Sequence, residues 1–218
     1  TYKTLFMIEI IAYSTMVIDH IWAIFFPNEM IFRYIWRISF PLFAYGLVRG
    51  YRNTKKLEKF FIRLSIFSLV SQIPYEFAFD TKILNIWFTL LVWILLLMIY
   101  DINFKMLKNK ILSFILKLIL IIFFCYFAEK LNIVYGAYWV LSILVIHIFY
   151  EKYYLIPAYL VLNMIFYEKI QFYSILWVLV LFIPKINSVK IKLPRYFKYW
   201  FYPVHLALFV IIKYFLHL

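Results

Sequence analysis

Residues Ile83–Tyr100, ILNIWFTLLVWILLLMIY, and Ile111–Ala128, ILSFILKLILIIFFCYFA, decide the class of this chain. Each runs for about 18 residues with at most one charge, Lys117, which at 1.5 Å per residue nearly matches the hydrocarbon thickness of a bilayer. A barrel strand alternates apolar and polar residues over about 10 positions, and neither stretch alternates. The expected fold is all-α and integral to a membrane, a polytopic helical bundle.

The rest of the chain agrees with these two stretches. Of 218 residues, 67% are hydrophobic, 24% aromatic and only 15% charged, whereas a soluble domain is near half apolar. That composition excludes a water-soluble globule and a disordered chain. The single cysteine, Cys125, sits within an apolar run, so a disulfide framework and a cysteine metal site are excluded and Cys125 reads as a packing residue.

Apolar runs between charged or proline breaks place about nine spans, at 5–26, 31–48, 60–79, 83–100, 111–128, 133–150, 153–167, 170–184 and 199–217. The sixth to eighth are short and closely spaced, as expected of tilted, re-entrant or partly crossing segments. No A-x-A-like cleavage site follows the first run, which therefore reads as a retained helix. Loops on one side carry fifteen basic residues, those on the other four, Arg33, Lys82, Lys130 and Lys169. The positive-inside rule then puts the amino terminus in the cytoplasm and the carboxyl terminus outside. No repeat or linker divides the chain, which reads as one domain, 1–218. The net charge of +13 lies in membrane-flanking loops, which favours anionic lipid or an anionic substrate over nucleic acid.

Ionisable residues inside apolar runs are costly and mark function. Asp19 and His20 lie roughly 10 Å below the outer surface and Arg37 roughly 9 Å below it, so an Asp19–Arg37 ion pair is expected. Neighbours on a helix point about 100° apart, so the acid that holds the His20 tautomer should come from elsewhere, with Glu76 the candidate. The densest charge cluster, RGYRNTKKLEK at Arg49–Lys59, continues to Arg63. It suits lipid headgroups or a multi-phosphate ligand arriving from the cytosol, and no glycine-rich loop points to nucleotide hydrolysis.

Four blocks carry a family resemblance: MVIDH at Met16–His20, RISFPLFAYGLVRGYRNT at Arg37–Thr54, RLSIFSLVSQIPYE at Arg63–Glu76 and YPVHL at Tyr202–Leu206. In order and spacing they resemble the TraX-like membrane acetyltransferases, and Tyr135-Gly136 is similar to a weaker central block. Trp36 and Gln72 depart from the pattern, which has a small residue and an acid at those places.

The resemblance implies a multi-pass protein of the bacterial inner membrane that takes an acyl group from cytosolic acetyl-CoA, as in pilin N-acetylation. It implies that His20 is catalytic, as base or acyl carrier, and that Arg49, Arg52 and Arg63 hold the CoA. On that reading Asp19 or Glu76 orients His20, Arg37 or Tyr202 stabilises charge, and no metal is needed. Depth places His205 roughly 9 Å from the inner face, out of contact with His20, so His205 and Tyr202 are expected to line the mouth taken by the pantetheine arm. Expected partners are acyl-CoA, membrane lipids, a second copy in a homodimer, and an acceptor that is a pilin or peptide amine, a glycan or a lipid headgroup. The rival reading is a small transporter or exporter component with an Asp19-His20-Arg37-Glu76 relay.

Overall fold

An apolar surrounding offers the backbone no hydrogen bonds, so a chain with three glycines and long branched or aromatic runs satisfies its own backbone as helix. The computed structural model describes residues 3–26, 33–101, 109–130, 136–150, 152–166, 175–177 and 194–216. Among them are eight helices and no strand. They are α1 (Lys3–Phe25), α2 (Arg33–Asn53), α3 (Leu57–Phe79), α4 (Ile86–Asp101), α5 (Lys110–Lys130), α6 (Gly136–Ile148), α7 (Leu155–Phe166) and α8 (Arg195–Phe215).

Two of these, Ile8–Phe25 within α1 and Lys110–Lys130, are long and apolar enough to cross a membrane. Helices α2, α3 and α8 have the length, at 21, 23 and 21 residues, but carry charged side chains toward their ends. Helices α4, α6 and α7, with 16, 13 and 12 residues, are shorter than a full span. The expected eighth span, 170–184, falls outside the described residues except for a helical turn at 175–177, and Tyr135 also lies outside them.

Helix α5 turns its apolar side outward. Ile111, Phe114, Ile119, Ile122, Phe123 and Tyr126 are all more than half exposed, while Phe124 and Ala128 are its buried positions. A water-facing surface does not carry an apolar patch of this extent, whereas a lipid-facing one does. At its far end the Glu129 carboxylate accepts from the Ala137 N–H at 2.8 Å, which sets a negative charge at the start of α6. Gly136 begins that helix at φ 48°, and a Cβ there would collide with the Glu129 carboxylate.

The packed interior has two parts. A larger core gathers α2, α4 and α6 around Phe40, Trp93 and Trp139, with Phe40 4.1 Å from the Trp139 ring. A smaller one joins α1, α3 and α8 through Met16, Ile24, Ala78, Tyr202, Leu206 and Phe209. Phe43, Ile86 and Trp87 pack against both.

Directions along the bundle follow from contacts. Glu9 pairs with Lys198, Tyr13 packs on Phe201 at 4.9 Å, and Phe25 meets Phe209 at 5.9 Å, so α1 and α8 run parallel. Phe67 stacks on Tyr199 at 4.6 Å and Asp80 pairs with Lys213, so α3 runs the same way. Only a few residues join α2 to α3, and Phe60 of α3 sits 3.1 Å from where a Cβ on Gly50 would stand. The end of α2 therefore shares one end of the bundle with the starts of α1, α3 and α8.

Candidate functional site

Met16-Val-Ile-Asp-His20 lies in the second half of α1, and Tyr202-Pro-Val-His205 lies mid-way along α8. The sequence expectation separated the two histidines. The structure overturns it: His20 Nδ1 and His205 Nε2 are 2.7 Å apart, with the ring planes nearly parallel and their centroids 5.0 Å apart. The error came from measuring one depth down from the outer surface and the other up from the inner one. Helix α8 begins about a turn earlier than expected, at Arg195, which lifts His205 to the level of His20.

The hydrogen bonds fix which nitrogens carry protons. His205 Nδ1 is 2.7 Å from the Phe201 carbonyl oxygen, which can only accept, so Nδ1 donates. In a neutral imidazole the other nitrogen then accepts, so His205 Nε2 receives a bond from His20 Nδ1–H. His20 Nε2 is left as the lone-pair nitrogen. Both side chains are out of water, at 4% and 7% exposure, with Phe79 at 5.3 Å and Tyr202 at 5.7 Å from the His20 ring. A histidine whose tautomer is held by a second group, with the opposite nitrogen basic, is the arrangement of a general base.

The TraX protein family model matches residues 5–213. The chain belongs to the TraX family. A probable fimbrial assembly protein, FimC of serogroup H1 from Dichelobacter nodosus, is 29% identical over 248 residues, covering 97% of this chain and 96% of that protein. No solved structure matches.

The other expected site residues divide in this TraX chain. Glu76 does not orient His20: its exposed carboxylate accepts from Gln72 Nε2 at 2.8 Å. Gln72 explains its own departure from the family pattern. Its amide also donates to the Ile83 carbonyl at 3.0 Å and accepts from Asn85 N and Nδ2 at 2.9 Å each, closing the α3–α4 connection. A carboxylate has no proton to donate to Ile83. With Glu76 committed to Gln72, the four-member transporter relay loses a member.

Asp19 is half-buried, one residue before His20 on α1. Arg37 lies in α2, its side chain outside the described residues, so its pairing with Asp19 is not among the described contacts. Tyr202 sits against both histidines, 5.5 Å from His205, and is 3% exposed.

Arg49, Arg52 and Arg63 all lie at the shared end of α2 and α3. Arg49 is half-buried and Arg63 exposed. Arg52 is partly engaged, donating to the His147 carbonyl at 3.2 Å and lying 5.1 Å above the Tyr150 ring.

Sequence reasoning missed a second polar group at this end. Asp101 accepts from Tyr51 O–H at 2.9 Å and lies 3.2 Å from His147 Nε2, tying α2, α4 and α6 together. Span counting puts all three residues near one face, which was the available signal, but nothing in the chain says which spans are neighbours. Among the described residues no three His, Cys, Asp or Glu side chains gather as a metal site.

Proposed function

We propose that the chain is a multi-pass protein of the bacterial inner membrane, with about nine spans and a cytoplasmic amino terminus, that transfers an acetyl group from acetyl-CoA to an acceptor amine or hydroxyl. The kinship with a probable fimbrial assembly protein favours a pilin-type amino terminus as acceptor. The outward apolar face of α5 and the parallel course of α1, α3 and α8 support the topology.

The observation that carries the reading is the ordered chain from His20 to His205 to the Phe201 carbonyl. The acceptor nitrogen attacks the thioester carbonyl and forms the new C–N bond. Its proton passes to His20 Nε2, the C–S bond breaks, and that proton leaves with the CoA thiolate as free thiol. The imidazolium formed on His20 keeps its Nδ1–H bond to His205, which therefore acts as the orienting group. Tyr202, whose ring packs against both histidines, is our candidate donor to the tetrahedral oxyanion. Acetyl-CoA supplies the activated acyl group. Its phosphates meet Arg49 and Arg63, with Arg52 assisting, at the end of the bundle from which α1 and α8 start, and the pantetheine arm runs from there toward His20.

The test uses purified full-length protein in detergent or vesicles with radiolabelled acetyl-CoA and a synthetic peptide bearing a free amino terminus. Label in the peptide, with one free thiol released per acetyl group, is expected. Absence of transfer to peptide, glycan and lipid acceptors alike would overturn the reading.

A further inference from the structure

Three helices end together at the side of the bundle that faces the donor: α2 at Asn53, α4 at Asp101 and α6 at Ile148. Tyr51 O–H donates to Asp101 Oδ2 at 2.9 Å and lies 3.1 Å from the Leu97 carbonyl oxygen, and His147 Nε2 is 3.2 Å from Asp101 Oδ1. Arg52 is flanked by the two residues that Asp101 holds. It follows Tyr51 in α2, donates to the His147 carbonyl at 3.2 Å and lies 5.1 Å above the Tyr150 ring. Two features of this group cost stability. A carboxylate at the end of α4 faces the negative pole of that helix, and His147 Nδ1 is buried with no hydrogen-bond partner among the described residues. An apolar pair in these places would pack without either penalty, so the residue types call for a role beyond packing.

We infer that Asp101 is a positioning residue for the acyl donor: acting through Tyr51 and His147, it fixes the Arg52 guanidinium where a phosphate of the donor is met. The inference rests on the acyl-transfer reading above. Arg52 is exposed, and one N–H on the His147 carbonyl leaves its guanidinium further donors for a phosphate. A surface arginine gives up side-chain freedom when it grips an anion, and fixing it beforehand removes that cost. Without Asp101 the His147 ring and one bond of Tyr51 are released, on either side of Arg52. The sign of the effect separates this role from simple electrostatics. The Asp101 side chain is 42% exposed and carries a negative charge at the end that takes the phosphates. Charge alone therefore makes its removal tighten donor binding, whereas positioning makes its removal weaken it.

The experiment measures binding of free CoA to full-length protein by calorimetry in detergent, for wild type, Arg52→Gln, Asp101→Ala and the double variant, with elution as a single species as the check of folding. Arg52→Gln is expected to weaken CoA by about 10-fold, the scale of one charge-assisted hydrogen bond, and Asp101→Ala by roughly 3- to 10-fold, since it acts through Arg52. With Arg52 already replaced, Asp101→Ala should change affinity by less than about 2-fold. Asp101→Asn, whose amide oxygen still accepts, should bind CoA more tightly than Asp101→Ala. His147→Phe keeps a ring, removes the bond to Asp101 and should weaken CoA in the same Arg52-dependent way; it replaces Asp101→Ala in the cycle if that variant does not fold. A loss of equal size with and without Arg52 would mean a general loosening of the bundle and would overturn the inference. So would unchanged or tighter CoA binding in Asp101→Ala, or normal binding in Arg52→Gln. A wild type that binds neither free CoA nor acetyl-CoA would overturn the acyl-transfer reading and this inference together, whereas binding that depends on Arg49 and Arg63 but not on Arg52 would overturn this inference alone.

Discussion

His20 and His205 stand 185 residues apart in the chain and share a buried hydrogen bond of 2.7 Å. A second bond, from His205 to the carbonyl of Phe201, makes the pair directional. Imidazole ¹⁵N shifts in labelled, neutral protein should therefore report Nδ1–H on both residues and an unprotonated Nε2 on each. The opposite tautomer on His20 would remove the basic nitrogen from the side assigned to the reaction.

Gln72 and Glu76 separate structure from catalysis. Glu76→Gln should leave acetyl transfer within about 3-fold of wild type, because the exposed carboxylate acts on Gln72 and not on His20. Gln72→Glu should lower stability by about 1–3 kcal/mol, since the Ile83 carbonyl loses its donor and two carboxylates face each other one turn apart. Thermal unfolding in detergent and initial rates measured on the same preparations check both.

The group formed by Tyr51, Asp101 and His147 is expected to be a clasp. Tyr51→Phe should cost about 1 kcal/mol, and Asp101→Ala about 1–3 kcal/mol because it strands His147 Nε2, while Tyr51 keeps the Leu97 carbonyl at 3.1 Å as an acceptor. The double variant should fall short of the sum, with coupling of about 0.5 kcal/mol or more. Additive losses in a double-mutant cycle would show that the two bonds are independent.

Donor binding should depend on where a positive charge sits. Arg49→Gln with Arg63→Gln should weaken acetyl-CoA by roughly 10- to 150-fold, the worth of one charge-assisted hydrogen bond or more. The loss should be larger at low salt, where exposed charges are least screened. Lys110→Gln on α5 removes an exposed charge from another helix and should change affinity little. Equal losses, measured by calorimetry, would make the basic residues a general lipid anchor.

The helical class was legible because uninterrupted runs such as Ile111–Ala128 permit few alternatives, and the four motif blocks led to the site because a buried histidine in such a chain needs a reason. The pairing of helices was not legible. Depth counted along separate spans put His205 far from His20, since helix starts are uncertain by a turn and each turn shifts a side chain by about 5.4 Å. Glu76 looked like the orienting acid because it is the one acid of its block, while its partner Gln72 looked like a defect. The connection at Ile83–Asn85 reverses both roles, and it is a tertiary fact carried by backbone carbonyls and amides that no side-chain pattern announces.

The most direct test of the central claim, that His20 held by His205 is the base for acyl transfer, is single-turnover acetyl transfer by His20→Ala, His205→Gln and His205→Phe at saturating acetyl-CoA. Removal of His20 should lower the rate by at least about 100-fold with acetyl-CoA binding retained. Replacement of His205 by glutamine, which still accepts from Nδ1–H, should retain more activity than replacement by phenylalanine, which accepts nothing. A folded His20→Ala protein that transfers acetyl within about 3-fold of the wild-type rate would contradict the claim.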